Sequence, residues 1–89
     1  IPDFMDAATL AEVRAALEPF LGAHLGRNAF EGFSTERVYT LVARGAVFER
    51  LTEEPRLMAL LGRVLLPDFL LTASQAISIR PGEAAQSLH

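Results

Sequence analysis

The sequence predicts an α+β fold, in which N-terminal helices pack on the first strands of a sheet. In residues 6–66, apolar side chains recur at the three- and four-residue spacing of helices. From Phe69 the period changes to two, which is typical of a strand. Pro81 and Gly82 then predict a tight turn. We expect residues 1–89 to form the N-terminal part of one domain, helical at 6–66 and with its first strands at 69–89.

The first helix is predicted to begin after Asp6, a residue that is favourable at an N-cap. Met5 and Leu10 stand at the two positions of a hydrophobic staple. Pro19 is expected to end or kink this helix near Leu17, because proline disrupts the hydrogen bonding of a helix interior. Residues 22–33 contain several glycines and are predicted to form a loop.

A second helix is predicted after Ser34, which would act as its N-cap, with Glu36 in the first turn. Gly45 suits the position just after the end of this helix. The buried stripe of the helix would consist of Val38, Leu41 and Val42. A further short helical turn is expected around Phe48.

A third helix is predicted from the Thr-Glu-Glu-Pro sequence of residues 52–55. A capping hydroxyl, acids near the positive end of the helix dipole and proline in the first turn are all typical of a helix start. This setting explains Glu53 and Glu54 better than a pair of catalytic carboxylates does. The apolar stripe in residues 57–65 is wide, so the helix is expected to be largely buried and to end by Pro67.

The alternating pattern of residues 69–79 predicts a strand with two different faces. The mostly apolar face is expected to pack on the helices, and the other, which includes Ser74 and Ser78, is small and partly polar. A turn at residues 80–83 and an extended return at 84–89 would follow. Because one hairpin is not stable alone, the sheet is expected to continue beyond His89 or to be completed by another chain. The mostly apolar face consists of Phe69, Leu71, Ala73, Gln75, Ile77 and Ile79.

Charge and cysteine content exclude several classes of function. Eight basic residues against 11 acidic ones give a net charge of −3, and no basic patch is present, so nucleic acid is not an expected partner. The absence of cysteine excludes disulfides and Cys-ligated zinc, and a metal would have to use His and carboxylates. Arg63, Pro67 and Asp68 interrupt the most apolar stretch, so no membrane helix is expected. We expect a cytoplasmic protein without a signal peptide.

Four segments carry a resemblance to a known family: residues 28–33 (NAFEGF), 35–39 (TERVY), 76–83 (AISIRPGE) and 86–89 (QSLH). In their order and spacing, over nearly the whole chain, they resemble consecutive landmarks of bacterial phytanoyl-CoA dioxygenase-like proteins. These are oxygenases that use non-haem Fe(II) and 2-oxoglutarate. The resemblance implies a double-stranded β-helix, or jelly roll, with the N-terminal helices on its outside. It also implies that the chain is a fragment in which the jelly roll is truncated.

The resemblance further implies that His89 is an iron ligand. In the family, a Gln-x-x-His segment runs into a His-x-Asp motif, and a second His far downstream completes three ligands on one face of the iron. The three opposite positions receive 2-oxoglutarate and O₂. Only His89 of these ligands is present in the 89 residues, so we expect the iron site to be incomplete in this chain and the chain alone to be inactive.

Five further residues are candidates for the site. In similar enzymes a Gln at the place of Gln86 can bind the 2-oxoglutarate cosubstrate, and the alternative is a solvent-facing strand residue. Ser74 and Ser78 could line the cosubstrate pocket, or a plain barrel interior. Arg37 and Tyr39 could project toward the barrel mouth and contact a small-molecule substrate. A surface salt bridge and a packed ring are the alternatives for these two residues.

Two other functions stay open at this point. A halogenase on the same scaffold would have Gly or Ala in place of the Asp two residues after His89, which would leave an iron position for halide. A non-catalytic helical interaction module would use the wide apolar stripe of residues 57–65 to bind a partner. The alternating segment and the Pro-Gly turn have no role in such a module.

Overall fold

The computed structural model describes residues 2–23 and 25–85 of the chain. Within these residues, three α-helices and a two-stranded antiparallel sheet form an α+β structure. The helices are α1 (Ala7–Leu17), α2 (Ala46–Thr52) and α3 (Pro55–Val64), and the strands are β1 (Glu36–Tyr39) and β2 (Gln75–Ser78). The predicted fold class is therefore confirmed at this level. None of the helices described is long and apolar enough to cross a membrane.

Helix α1 begins and ends where its sequence predicts. The Asp6 carboxylate accepts a hydrogen bond from the Thr9 amide at 2.7 Å, which satisfies one of the unpaired donors of the first turn. Pro19 lies in a 3₁₀ turn, Glu18–Phe20, that directly follows the helix. The change from α to 3₁₀ hydrogen bonding accommodates the missing proline N–H.

The prediction of a helix after Ser34 is wrong, because this segment forms strand β1. Glu36–Tyr39 pairs with Gln75–Ser78 in antiparallel register, with Val38 opposite Ala76. Val38, Tyr39 and Thr40 are residue types that favour strands. Because the segment pairs with β2, it forms a strand although its apolar spacing also fits a short helix. The Ser34 amide and hydroxyl bond the Glu83 carboxylate instead of capping a helix.

The buried apolar core of the described residues lies in β1 and α2. Val38 of β1 and Val47 and Phe48 of α2 are its buried members. The expected helical turn around Phe48 is confirmed and is the whole of α2. Gly45 precedes α2 as its N-cap instead of following a helix, and a 3₁₀ turn at Leu41–Ala43 links β1 to it. Helix α1 packs against α2.

Helix α3 forms as predicted but is not buried as predicted. Pro55 occupies its first turn, and the Glu54 side chain accepts from the Leu57 amide at 3.0 Å, so Glu54 is the cap. Thr52 instead ends α2, where its hydroxyl donates to the Phe48 carbonyl. No residue of α3 is buried, and Val64 is 71% exposed. The described elements do not cover the apolar stripe of this helix.

Strand β2 is shorter than predicted, and the face that is partly buried is not the one that the sequence predicted. Only Gln75–Ser78 forms ladder bonds, although the strand was predicted over residues 69–79. Ile77 and Ile79 are exposed, whereas Ala76 and Ser74 on the other face are half-buried. The predicted packing of the Ile77 face on the helices is therefore wrong. Strand β2 pairs with β1, whereas the sequence predicted that it would pair with the returning segment at residues 84–89. The two faces of β2 therefore meet different neighbours from those expected.

The turn after β2 has the predicted type. The Glu83 amide donates to the Arg80 carbonyl at 3.3 Å, and Gly82 has φ of +90°, as the third residue of a type II turn requires. Ala84 and Ala85 form no strand, and the remainder of the predicted return, residues 86–89, lies outside the described residues.

We expect Phe48→Ala to lower the free energy of unfolding by about 3–5 kcal/mol, because it removes a buried ring from a small core. Leu66→Ala is the matched control: Leu66 is 84% exposed, and its truncation should change the free energy by less than about 0.5 kcal/mol. Urea unfolding followed by circular dichroism measures both values. Equal losses in the two variants would contradict the position of the core.

Candidate functional site

The structure brings the described candidate residues onto one two-stranded ribbon. Arg37 and Tyr39 lie on β1, Ser78 is the last residue of β2, and Ser74 directly precedes β2. The two segments are hydrogen-bonded neighbours, although the sequence pattern predicted a helix and a strand. His89 and Gln86 lie outside the described residues, so the iron ligand and the cosubstrate glutamine stay predictions.

The register separates the candidates onto different faces of the ribbon. Side chains directly opposite each other in an antiparallel pair share a face. Glu36 is opposite Ser78, and Arg37 is opposite Ile77. Ser78 therefore shares a face with Glu36, while Arg37 and Tyr39 belong to the other face.

Tyr39 lines two grooves. Arg37 lines one of them, and Ser74 lines the other. The first, which we call the Arg37 groove, has a volume of about 240 Å³. The second, which we call the Ser74 groove, has a volume of about 290 Å³. Ser78 lines neither of them. The Arg37 groove is lined by Phe20, Ala23, Arg37, Val38, Tyr39 and Arg44, and the Ser74 groove by Tyr39, Thr40, Val42 and residues 71–75.

Arg37 is a buried guanidinium, with only 8% of the residue exposed. Its Nη2 atom donates to the Glu31 carbonyl at 3.0 Å, and its Nε atom is buried with no hydrogen-bond partner in the part of the chain that the structure describes. No ion pair joins Arg37 to a carboxylate within residues 2–23 and 25–85. A buried charge in this state is costly, because a hydrogen bond to the neutral carbonyl replaces little of its hydration.

Arg44 lies at the rim of the same groove and was not singled out from the sequence. Its Nε atom donates to the Tyr39 carbonyl at 3.2 Å. Its guanidinium carbon lies 4.9 Å from the centre of the Phe20 ring, in a cation–π contact. Two arginines, Arg37 and Arg44, and the aromatic residue Phe20 therefore line the Arg37 groove. No local motif marks Arg44, since its role depends on the turn that returns the chain toward Phe20.

Thr40 turns the chain sharply between β1 and the 3₁₀ turn. Its φ of 56° and ψ of 52° are in the left-handed region, which is rare for a β-branched residue. This conformation costs about 1–2 kcal/mol for a non-glycine residue. The Leu41 amide donates to the Ser74 carbonyl at 3.0 Å, which ties the turn to the segment before β2. Strained backbone therefore lies in the wall of the Ser74 groove, a setting in which functional residues are common.

The opposite end of the ribbon is closed by two polar contacts. Arg80 forms an ion pair with Glu36, whose side chain is 9% exposed. The Ser34 hydroxyl donates to the Glu83 carboxylate at 2.7 Å, and this bond lowers the pKa of Glu83 below its ordinary value. The Pro-Gly turn is thereby fixed against the segment that precedes β1. Sequence reasoning missed both contacts because it placed Ser34 and Glu36 in a helix.

The loop that receives Arg37 is itself fixed by a charged pair. The Arg27 Nη2 and Nε atoms donate to the two Glu31 carboxylate oxygens at 2.8 and 3.2 Å, and the Arg27 amide donates at 2.9 Å. The bonds from the Arg27 side chain, followed by the one from its amide, lower the pKa of Glu31 to about 2, and the positive charge of Arg37 contributes less. The loop carbonyl that accepts from Arg37 is that of Glu31, so the pair positions it.

Among the described residues, no group of three or more His, Cys, Asp and Glu side chains could hold a metal ion. The described part instead has groups that suit the binding of a small molecule: guanidinium groups, hydroxyls and aromatic rings around two grooves. An iron site of the implied type depends on His89.

Comparison of the chain with protein-family models, with curated proteins and with solved structures found no match. A function therefore has to be inferred from the residues of the chain and from their arrangement.

We expect the stability of the chain to fall as the pH is lowered from about 4.5 toward 2, in part through Glu31. The pKa of this carboxyl is depressed from 4.5 to about 2 in the folded chain, so its stabilising effect is present above 4.5 and lost as it becomes protonated. Glu31→Gln should flatten this part of the profile, measured as the urea midpoint against pH. Glu49→Gln, at an exposed position of α2, should retain the wild-type slope. Parallel profiles for wild type and Glu31→Gln would contradict the effect of the Arg27 pair.

Proposed function

We propose that the chain belongs to an Fe(II)- and 2-oxoglutarate-dependent oxygenase of the phytanoyl-CoA dioxygenase-like type, which hydroxylates a small organic substrate. In this proposal, α1–α3 lie outside a jelly roll whose first strands include β2. The observation that carries the proposal is the ordered set of four motifs, residues 28–33, 35–39, 76–83 and 86–89. Their order and spacing resemble the family over nearly the whole chain.

The arrangement of three of these motifs supports the proposal. Residues 35–39 contain β1 and residues 76–83 contain most of β2 and its turn, and the two strands pair. The Glu36–Arg80 ion pair joins the same two segments. The Arg37 guanidinium reaches back to the carbonyl of Glu31, within the motif at residues 28–33. Motifs that are separate in the sequence are thus neighbours in space, as segments that build one site would be.

The proposed iron ligand is His89, and Gln86 is proposed to bind 2-oxoglutarate beside it. Neutral imidazole and carboxylate ligands suit Fe(II) while leaving positions open for other molecules. The proposal requires a carboxylate two residues after His89 and a further His downstream of it, both beyond the 89 residues. When bound, the iron would couple O₂ reduction to the conversion of 2-oxoglutarate into succinate and CO₂, with one oxygen atom entering the substrate as a hydroxyl group.

The described residues would bind and orient the organic molecules. Tyr39 lines both grooves, so a substrate in either of them would contact this residue. Ser74 lines the groove on the side of β2 and is proposed to contact the cosubstrate. Ser78 lies on the same face of the ribbon as Glu36. It is proposed to contact the cosubstrate as well, provided that this face lines the inside of the jelly roll. Arg37 contributes a fixed positive charge to the substrate side.

The exposed apolar stripe of α3 favours the interaction module as a second candidate. Leu60 is 48% exposed and Val64 is 71% exposed, which is unusual for a helix with a wide apolar face. In the oxygenase proposal, the jelly roll covers this surface. In the second candidate, a separate partner covers it and no iron is bound. A halogenase would differ from the oxygenase at the residue two after His89.

We expect His89→Ala to abolish both iron binding and succinate formation in the full-length protein, because two remaining ligands hold Fe(II) poorly. Gln86→Ala should retain iron and raise the apparent KM for 2-oxoglutarate, since it removes a hydrogen bond worth about 0.5–1.5 kcal/mol. Metal analysis and a succinate assay measure these effects. Full iron content and normal succinate formation in His89→Ala would remove the case for the oxygenase.

A further inference from the structure

Among the described residues, no carboxylate forms an ion pair with Arg37, although its positive charge helps to lower the pKa of nearby Glu31. Only 8% of the Arg37 surface is exposed, and its buried Nε atom has no hydrogen-bond partner among residues 2–23 and 25–85. Its Nη2 atom donates a hydrogen bond to the carbonyl of Glu31, which is a neutral acceptor. Arginine is rarely buried unless it is paired, because the loss of hydration is compensated only by an opposite charge or by several acceptors.

The neighbouring carboxylates are already engaged with other arginines. Glu31, in the loop beside Arg37, is held by three hydrogen bonds from Arg27. Glu36, adjacent in β1, pairs with Arg80, and alternation along the strand puts it on the opposite face. Neither carboxylate forms an ion pair with Arg37. The compensating charge is therefore best supplied by a ligand.

The groove beside Arg37 limits what this ligand can be. Arg44 adds a second guanidinium, and Phe20 and Val38 supply apolar wall. The volume of about 240 Å³ is below the roughly 300–1,000 Å³ of pockets for drug-sized molecules. A small molecule with one anionic end and an apolar body matches these walls. A guanidinium binds carboxylates and phosphates through paired hydrogen bonds, and the small volume of the groove favours the smaller of these groups, the carboxylate.

We propose that the Arg37 groove binds the carboxylate of a small, largely apolar acid, with Arg37 and Arg44 at its charged end and Phe20 against its body. Such an acid is then the substrate class of the oxygenase, and this last step rests on the proposed function. Carboxylate binding itself requires neither iron nor turnover. An experiment can therefore contradict the carboxylate site without contradicting the oxygenase, and the reverse.

The test uses the full-length protein and three probes, with affinities measured by calorimetry. Benzoate has the proposed chemistry, benzamide has the same shape without the charge, and 2-oxoglutarate tests whether the groove takes the cosubstrate instead. We expect benzoate to bind about 10- to 100-fold more tightly than benzamide, as expected for hydrogen bonds to a charged group. Equal affinities for benzoate and benzamide would overturn the proposal. So would tight binding of 2-oxoglutarate that depends on Arg37.

Arg37→Met is the central variant, because it keeps most of the side-chain volume and removes the charge. It should weaken benzoate binding about 10- to 100-fold without lowering the melting temperature, since an unpaired buried charge is removed. Arg63→Met, at an exposed position of α3, makes the same change in net charge and should retain benzoate binding. Undiminished benzoate affinity in Arg37→Met would overturn the proposal.

A second variant decides the question if Arg37→Met does not fold. Arg44→Met removes the charge at the groove rim, where it leaves the Glu31 carbonyl contact of Arg37 in place. It should weaken benzoate binding several-fold and leave benzamide binding unchanged. Unchanged benzoate affinity in Arg44→Met would then overturn the proposal. Succinate formation, measured in the same wild-type preparation, reports separately on the oxygenase.

Discussion

The antiparallel pairing of β1 with β2 is the constraint on which the rest of the described structure depends. It joins a segment between α1 and α2 to one that follows α3. At one end it is closed by the Glu36–Arg80 pair and by Ser34 against Glu83. At the other end the bond from the Leu41 amide to the Ser74 carbonyl extends the contact beyond the ladder. Without this pairing, Arg37 and Tyr39 would have no fixed position relative to Ser74.

A two-stranded ribbon of this length is not stable by itself, and apolar surface lies exposed near it. Ile77 and Ile79 are exposed on one side of β2, and the apolar stripe of α3 is exposed elsewhere. A jelly roll that continues from β2 would cover such surfaces, and so would a partner protein. The oxygenase proposal accounts in addition for the motif order and for the charged groove, which a helical interaction module does not require.

Local signals predicted the elements whose cause lies within a few residues. The Asp6 cap, the proline of α3 and the Pro81-Gly82 turn all depend on neighbours in the sequence, and all three are present. Strand β1 and the exposure of α3 were missed because they depend on distant partners. The residues 38–42 fitted a helical stripe and a β-forming run equally well, and only β2 decides between them. Arg37 and Tyr39 were selected as candidates on a predicted helix that the structure replaces with β1. The buried Nε atom of Arg37 depends on the fold and cannot be seen in a sequence.

Two unfavourable features, a buried charge and a strained backbone, lie close together at the end of β1. Their proximity favours a role for this region in binding a ligand, in addition to its role in the fold. Arg37 is buried and forms no ion pair within residues 2–23 and 25–85, and three residues later Thr40 holds a left-handed conformation that β-branched residues avoid. An apolar side chain at position 37 and a glycine at position 40 would relieve both costs without changing the hydrogen bonding of the ladder. Strain and unpaired charge persist where the surrounding structure enforces them, and they concentrate at sites that bind ligands. Tyr39 lies between these two residues and lines both grooves, so the costs are located where a ligand would be bound.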